Sequence, residues 1–414
     1  MNQNEQVMNE NWKKNITLFL GSQTISLFGS SLVQYAIMWY ITLTTQSGIM
    51  MTISIICGFV PTFFLAPFAG VWADRFNRKY LIIIADSMIA ISTLILAILF
   101  LNGYNSMWLL FVMYAVRAIG TGIQTPAVGA ILPQIVPEDK LTKVNGANGS
   151  IQAFVMLLSP MISAGLLSVT TLEMIFFIDV ITAAVAVLTL LFFLKIPPHA
   201  KAMELQKVGY FNDFKEGLSY IHHHAFLKKF FTFFAFFFVL AAPASFLTPL
   251  QVTRTFGANE WYLSAIEVAF SIGMIVGGII IASWGGFKNK THTMALSAFV
   301  FGLCTLLLGI VPVFWIYLIF MGIVGVVMPL FNTPATVLLQ EKVEQDFLGR
   351  VFGVLTMIST SMMPLGMLVF GPIADIIAIE WLLIGTGIFI FILGFFLLGN
   401  KVLIEAGKQN ENVE

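Results

Sequence analysis

The stretch "GVWADRFNRK", residues 70–79, separates two long apolar runs. It gathers Asp74, Arg75, Arg78 and Lys79 in a chain where only 10% of residues are charged. Charge this concentrated between greasy segments marks a short loop at a membrane surface. The composition agrees. The 414 residues are 58% hydrophobic, with mean hydropathy +0.91, whereas soluble domains are about 45–50% apolar and about 25% charged. Predominantly apolar runs of about 18 residues or more recur, each long enough to cross a hydrocarbon core of about 30 Å as a helix. They are continuous rather than alternating, which argues against the strands of a membrane barrel. A helix also satisfies its own backbone groups in lipid.

Outward from the opening loop, the runs define twelve spans near 16–43, 48–71, 80–101, 107–131, 145–168, 172–194, 227–253, 261–284, 291–311, 313–338, 349–374 and 380–400. Turn chemistry separates them, as in "TTQSG", "NGYNS", "PPHAK" and "GGFKNK". Of the 21 lysines and arginines, all except Arg117, inside span 4, and Arg254 fall on one side of the membrane. They lie before span 1, after each even-numbered span, and after span 12. Positive loops stay in the cytoplasm, so both termini are expected there, in a bacterial cell membrane. The polar N-terminal stretch has no cleavage pattern, and span 1 is expected to serve as an uncleaved insertion signal. Cys57 and Cys304 lie deep in apolar runs and read as reduced thiols outside any disulfide framework. The net charge of +0 points to no nucleic-acid or acidic partner.

The chain repeats itself. "TPAVGAILPQIVPEDKLTKVNG" (125–146) closes span 4 and opens span 5, and "TPATVLLQEKVEQDFLGRVFG" (333–353) does the same for spans 10 and 11. Thr125-Pro126-Ala127 meets Thr333-Pro334-Ala335. With a one-residue gap, Asp139 meets Asp346, Leu141 meets Leu348, Lys143 meets Arg350 and Gly146 meets Gly353. The expected organisation is a cytoplasmic tail (1–15), a six-helix half (16–194), a linker (195–226), a second six-helix half (227–400) and a tail (401–414). Parallel repeats related by an axis along the membrane normal describe a transporter plan with its site at the midplane. The linker ends in "DFKEGLSYIHHHAFLKKFF", read as an amphipathic surface helix. His222, His223 and His224 are adjacent, so a helix points them in three directions and they make a poor metal cage; no metal is expected.

The opening loop resembles the G-x-x-x-D-R-x-G-R-K signature of the major facilitator superfamily. Gly70, Asp74, Arg75, Arg78 and Lys79 match it, with Asn77 in place of the usual glycine. The resemblance implies a cytoplasmic latch between the halves that breaks as the transporter opens inward. "YAVRAIGTGIQTPAVGAILPQIVPEDKLTKVNG", "FFIDVITAA", "IEVAFSIGMIVGG" and "EQDFLGRVFG" are similar to the drug:proton antiporters, especially their macrolide-efflux branch. The likeness covers residues 12–400. The branch's span 5 motif, G-P-x-x-G-G, reads Ser159-Pro160-Met161-Ile162-Ser163-Ala164 here, keeping the proline and small residues.

Ionisable residues inside or at the edge of the spans are Asp86, Arg117, Asp179, Glu267 and Asp375. An ionised one at a helix centre costs about 2.5–3.5 kcal/mol, so each is expected to be paired, facing water or neutral. Arg117, on the span that carries the branch's arginine, is expected to face the cavity or an acid and to set that acid's protonation. Glu267 on span 8 is the leading proton-coupling carboxylate. Asp179 and Asp86 are the reserve candidates, both read primarily as structural pairing, with Asp86 bracing the opening loop. Asp375 sits at headgroup level, where charge is cheap.

For cargo, Gln34, Tyr35, Gln124 and Asn332 are scattered polar groups able to orient a ligand. Phe234 and Phe238 stand for the phenylalanine-rich span 7, where Phe and Met would adapt to bulky amphiphiles. Pro243, Pro249, Pro329 and Pro334 interrupt spans 7 and 10. With no G-x-x-x-x-G-K-[ST] loop, ATP drive is not expected; the proton gradient takes the place of a cofactor, and there is no catalytic residue. The reading is a monomeric, proton-coupled exporter of lipophilic or cationic drugs, macrolides first, with a siderophore or lysophospholipid exporter as the alternative. A non-transporting receptor of the same fold would need a sizeable signalling domain.

Overall fold

The computed structural model describes residues 3–137, 140–194 and 219–408. It is all-α. Twelve helical segments among the described residues are long and apolar enough to cross a membrane. The first six are α1 (Gln3–Thr45), α2 (Gly48–Arg75), α3 (Arg78–Leu101), α4 (Met107–Ile135), α5 (Leu141–Val169) and α6 (Leu172–Phe193). Span 7 comprises α7 (Ala225–Ala242), a π-helical turn at Pro243–Leu247 and α8 (Thr248–Thr255). Then follow α9 (Glu260–Trp284), α10 (Lys290–Leu308), α11 (Phe314–Lys342), α12 (Gln345–Ile373), α13 (Ile379–Gly399) and the short α14 (Lys401–Gly407). Most of the proposed linker lies outside the described residues.

The π turn has a local cause. Pro243 lacks an N–H and its ring blocks the carbonyl a turn earlier, so the hydrogen-bond ladder widens there. Pro329 and Pro334, expected to interrupt span 10, instead sit inside an unbroken α11.

The chain forms two units, Met1–Ile41 with Ile53–Lys207, and Thr42–Thr52 with Val208–Glu414. In the first, α3 packs along α4 and α6. Asn77, the residue that departs from the loop signature, caps α3 by accepting from the Lys79 amide at 3.1 Å, which satisfies a donor that every helix start leaves free. Below it lies an apolar cluster including Phe19, Ala73, Ile82, Ile131 and Leu190. The opposite face of α3 exposes Ile84, Ile91, Ile95 and Ile98, all at least 48% accessible. A helix with isoleucines outward and polar groups inward is built for lipid.

The second unit is filled by rings. Phe230, Phe233, Phe234 and Phe237 on α7 are no more than 2% exposed, and Phe237 stacks on Phe331 of α11 with centroids 4.4 Å apart. Helices α9 and α11 close in on glycines: a Cβ at Gly325 would overlap the Phe270 carbonyl, and one at Gly273 the Gly322 carbonyl. Asn289 caps α10 as Asn77 caps α3, accepting from Thr291 at 3.0 Å.

Candidate functional site

Four helices of the first unit turn polar residues toward one another at helical spacing. On α3, Asp86 and Thr93 are seven residues apart, which is two turns and about 10 Å along one face. Arg117 and Gln124 stand at the same interval on α4. On α1, Gln23, Ser26, Ser30 and Gln34 follow one stripe. Asp179 comes from α6. These intervals coincide, so the side chains meet in two tiers.

The tier at Arg117 is closed. Its Nη1 donates to Asp179 Oδ2 at 2.5 Å and to Thr93 Oγ1 at 3.2 Å. Its Nη2 donates to the Ser30 carbonyl at 2.8 Å. Asp179 also accepts from Ser30 Oγ at 3.0 Å and Thr93 Oγ1 at 3.2 Å. Asp179 is fully buried and Arg117 is 7% exposed. The helices reach this distance because Gly29 lets α1 settle on α6, where a Cβ would strike Thr182. Gly120 does the same for α4 against Ile89 of α3. The acid that Arg117 meets is Asp179.

The second tier is open. Asp86 Oδ1 accepts from Gln124 Nε2 at 2.7 Å and Ser26 Oγ at 3.3 Å. Among the described residues, its Oδ2 meets no donor at hydrogen-bond geometry, and Gln23 Nε2 meets no acceptor. Gln124 Nε2 also reaches Gln23 Oε1 at 3.3 Å. Asp86, 2% exposed, makes no ion pair among the described residues. The carboxyl is anchored by two neutral donors rather than by a cation, two turns into α3 from the opening loop.

A cavity of about 200 Å³ opens beside both tiers, lined by Ser26, Ser30, Gln34, Tyr114, Arg117 and Gln124 together with Leu27, Ile89 and Ala118. Gln34 and Gln124 both line this cavity. Tyr35 leans on Trp39, centroids 5.6 Å apart, and is not among the lining residues. Phe234 and Phe238 are 2% and 6% exposed; Phe234 packs against Phe331, and both rings serve as core rather than cavity wall. Asn332 is exposed on α11 and Glu267 half-buried on α9. Glu267 has no hydrogen-bond or ion-pair partner among the described residues.

Of the loop signature, the side chains of Gly70, Asp74 and Arg75 lie outside what is described. Arg78 donates to the carbonyls of Ala73 at 2.9 Å and Ala130 at 2.8 Å. Lys79 Nζ donates to Leu194 O at 2.6 Å and Leu191 O at 3.2 Å. These two basic residues tie the start of α3 to the ends of α2, α4 and α6 within the first unit. His223 and His224 turn back onto carbonyls of their own segment, and no metal-binding cluster occurs among the described residues.

In the second unit, just past the end of α12, Asp375 gathers donors from a distant turn. It accepts from the amides of Gly48 at 2.7 Å and Ile49 at 3.0 Å, Ser47 Oγ at 2.7 Å and Arg254 Nη2 at 2.9 Å. Arg254 also holds the carbonyl of Gln46, a residue at φ 47°. Burial pushes the Asp375 carboxyl up, but these donors outweigh it and hold it below the ordinary 3.8. Sequence alone gave no sign of this knot, which joins residues more than 300 positions apart.

Residues 19–367 match the model of the Major Facilitator Superfamily. The chain belongs to that superfamily. Macrolide efflux protein A of Streptococcus pyogenes is 30% identical over 380 residues, 91% of this chain and 94% of that protein. The staphyloferrin A transporter of Staphylococcus aureus is 22% identical over 402 residues, 95% and 99% of the two chains. Among solved structures, the nucleoside transporter NupG superposes with TM-score 0.68 at 15% identity, covering 94% of this chain and 98% of its own. Superfamily members of this kind are multi-pass membrane transporters, and this chain's twelve apolar helices agree with that.

Proposed function

We propose that this protein is not an enzyme but a secondary exporter, which moves lipophilic, amine-bearing drugs of the macrolide class out of a bacterial cell in exchange for protons, both termini lying in the cytoplasm. The observation that carries the reading is a polar cavity beside buried carboxyls, Asp86 and Asp179, and one fixed cation, Arg117, inside helices whose outer faces suit lipid. The similarity to macrolide efflux protein A supports the cargo class. A cavity of about 200 Å³ is below the range of about 300–1,000 Å³ typical of drug sites, so it suits one polar appendage of the cargo, such as an amino sugar.

The energetics are sufficient. One charge crossing 100 mV releases about 2.3 kcal/mol. A tenfold gradient costs about 1.4 kcal/mol, so one proton sustains cargo gradients approaching 10²-fold, as an order of magnitude.

The test uses everted membrane vesicles from a pump-deficient bacterium expressing the protein. A radiolabelled macrolide should accumulate when the lumen is acidified and leave when a protonophore is added. Accumulation indifferent to the protonophore would refute antiport. The similarity to the staphyloferrin A transporter favours a second cargo, a siderophore. Preferential movement of a siderophore in the same vesicles would establish it.

A further inference from the structure

We propose that the Asp86 carboxyl is the group that takes up and gives back the proton in each transport cycle, an inference that rests on the antiport reading. Its two oxygens are in different situations. Oδ1 accepts from Gln124 and Ser26, while Oδ2 is buried with no partner. An ionised carboxylate is an acceptor on both oxygens, whereas a neutral acid accepts on one and carries hydrogen on the other. Here the donors engage one oxygen only, so half of an ionised carboxylate's acceptor capacity would be buried unmet.

Among the described residues, the charged groups around it leave no cation for it. On α4, Arg117 is committed to Asp179 and the Ser30 carbonyl. On α6 the facing charge is Asp179, itself an acid. On α3, Arg78 and Lys79 lie two turns away and are held by backbone carbonyls. The α1 face offers Gln23 and Ser26, which are neutral. Neutralisation by H⁺ is the remaining way to settle the charge inside the bilayer.

The neighbours also supply a way to let the proton go. Gln124 Nε2 bridges Asp86 Oδ1 and Gln23 Oε1, so the three side chains form one cluster. When the Oδ2–H bond breaks, the electron pair stays on Oδ2 and the proton leaves into the cavity that Ser26 and Gln124 line. The unpartnered Gln23 Nε2–H is then the donor available to Oδ2. Glu267 has no comparable set of donors: nothing among the described residues hydrogen-bonds to it.

Two measurements on the full-length protein test this. In lipid nanodiscs, an infrared difference spectrum between acid and alkaline buffer should contain the C=O stretch of a protonated carboxyl, and Asp86→Asn should remove it. In everted vesicles, Asp86→Asn should reduce gradient-driven macrolide accumulation to the level left by a protonophore. Exchange of labelled for unlabelled macrolide without a gradient should persist. Retained gradient-driven accumulation overturns the proposal. So does loss of both drive and exchange, which would make Asp86 a structural residue. A band that persists in Asp86→Asn and vanishes in Glu267→Gln overturns it in favour of Glu267. If the wild-type protein moves no macrolide by either route, the antiport reading falls, and the infrared band alone still decides whether Asp86 binds a proton.

Discussion

Removing Arg117 should destabilise the protein more than removing both members of its ion pair. In Arg117→Met, Asp179 keeps its donors Ser30 and Thr93 but loses the one cation it meets among the described residues while fully buried. Breaking a buried pair from one side costs about 3–5 kcal/mol. The two retained hydroxyl donors, at about 1 kcal/mol each, place the expectation near the lower bound, ~3 kcal/mol. A domain the size of one unit shifts by roughly 2–4 °C per kcal/mol, giving a fall in Tm of about 6–12 °C. A thiol-reactive dye can follow unfolding through the native cysteines, since Cys304 is 3% exposed and becomes reactive only when the second unit opens. A second unfolding probe, such as intrinsic tryptophan fluorescence, covers the first unit. Adding Asp179→Asn to Arg117→Met removes the orphaned charge and should recover most of the loss, a coupling visible in a double-mutant cycle. If the single variant melts with the wild type, or the double variant is no better than the single, a buried uncompensated charge is not what sets the cost.

Two further outcomes follow from packing and from the outer knot. Gly325→Ala should destabilise, because its Cβ meets the Phe270 carbonyl and overpacking costs about 1–3 kcal/mol, whereas Gly322→Ala meets nothing closer than 3.6 Å and should be neutral or stabilising; equal melting temperatures would refute the close α9–α11 contact. At the outer end, Asp375→Asn should speed hydrogen exchange of the Gly48 and Ile49 amides at neutral pH. In the wild type the depressed Asp375 carboxyl makes this protection complete above the ordinary 3.8, and it should be lost only as pH falls through the lower folded value. Unchanged protection in the variant would show that the carboxylate does not hold these amides.

Much of the fold was legible because its signals are one-dimensional. Apolar runs, polar breaks and the bias of lysine and arginine can be counted along the chain, and the twelve spans lie close to where those counts put them. The π turn was half legible: Pro243 marks a break, but proline alone does not say whether the ladder widens or the helix stops, and Pro329 and Pro334 are absorbed without either. The site was legible as residues, not as partnerships. Arg117 and Asp179 were both recognised, yet nothing in sequence says that Gly29 brings α1 onto α6 or that Gly120 brings α4 onto α3. The signal that went unused is the shared seven-residue interval of Asp86–Thr93 and Arg117–Gln124, together with the polar stripe Gln23, Ser26, Ser30, Gln34. Phe234 and Phe238 misled because a phenylalanine run looks the same whether it lines a cavity or fills a core. Asp375 misled because its partners come from the distant Ser47–Ile49 turn.

The internal repeat gives the chemistry of the site a direction. With Thr125 aligned to Thr333, Arg117 falls on Gly325 and Gln124 on Asn332. One helix position therefore carries a guanidinium bonded to Asp179 in the first half, and in the second a glycine that admits the Phe270 carbonyl. With Asn77 aligned to Asn289, Asp86 falls on Ala298, which is fully buried. The same scaffold is thus filled in two ways, with hydrogen-bonded charge in one half and stacked rings and glycine contacts in the other. A buried polar network holds specific geometry only while every member is satisfied. Among the buried polar side chains of the first unit that hold such a network, Asp86 and Gln23 are the ones left incomplete. A change of one proton at that place therefore alters the hydrogen bonding of α1, α3 and α4 together.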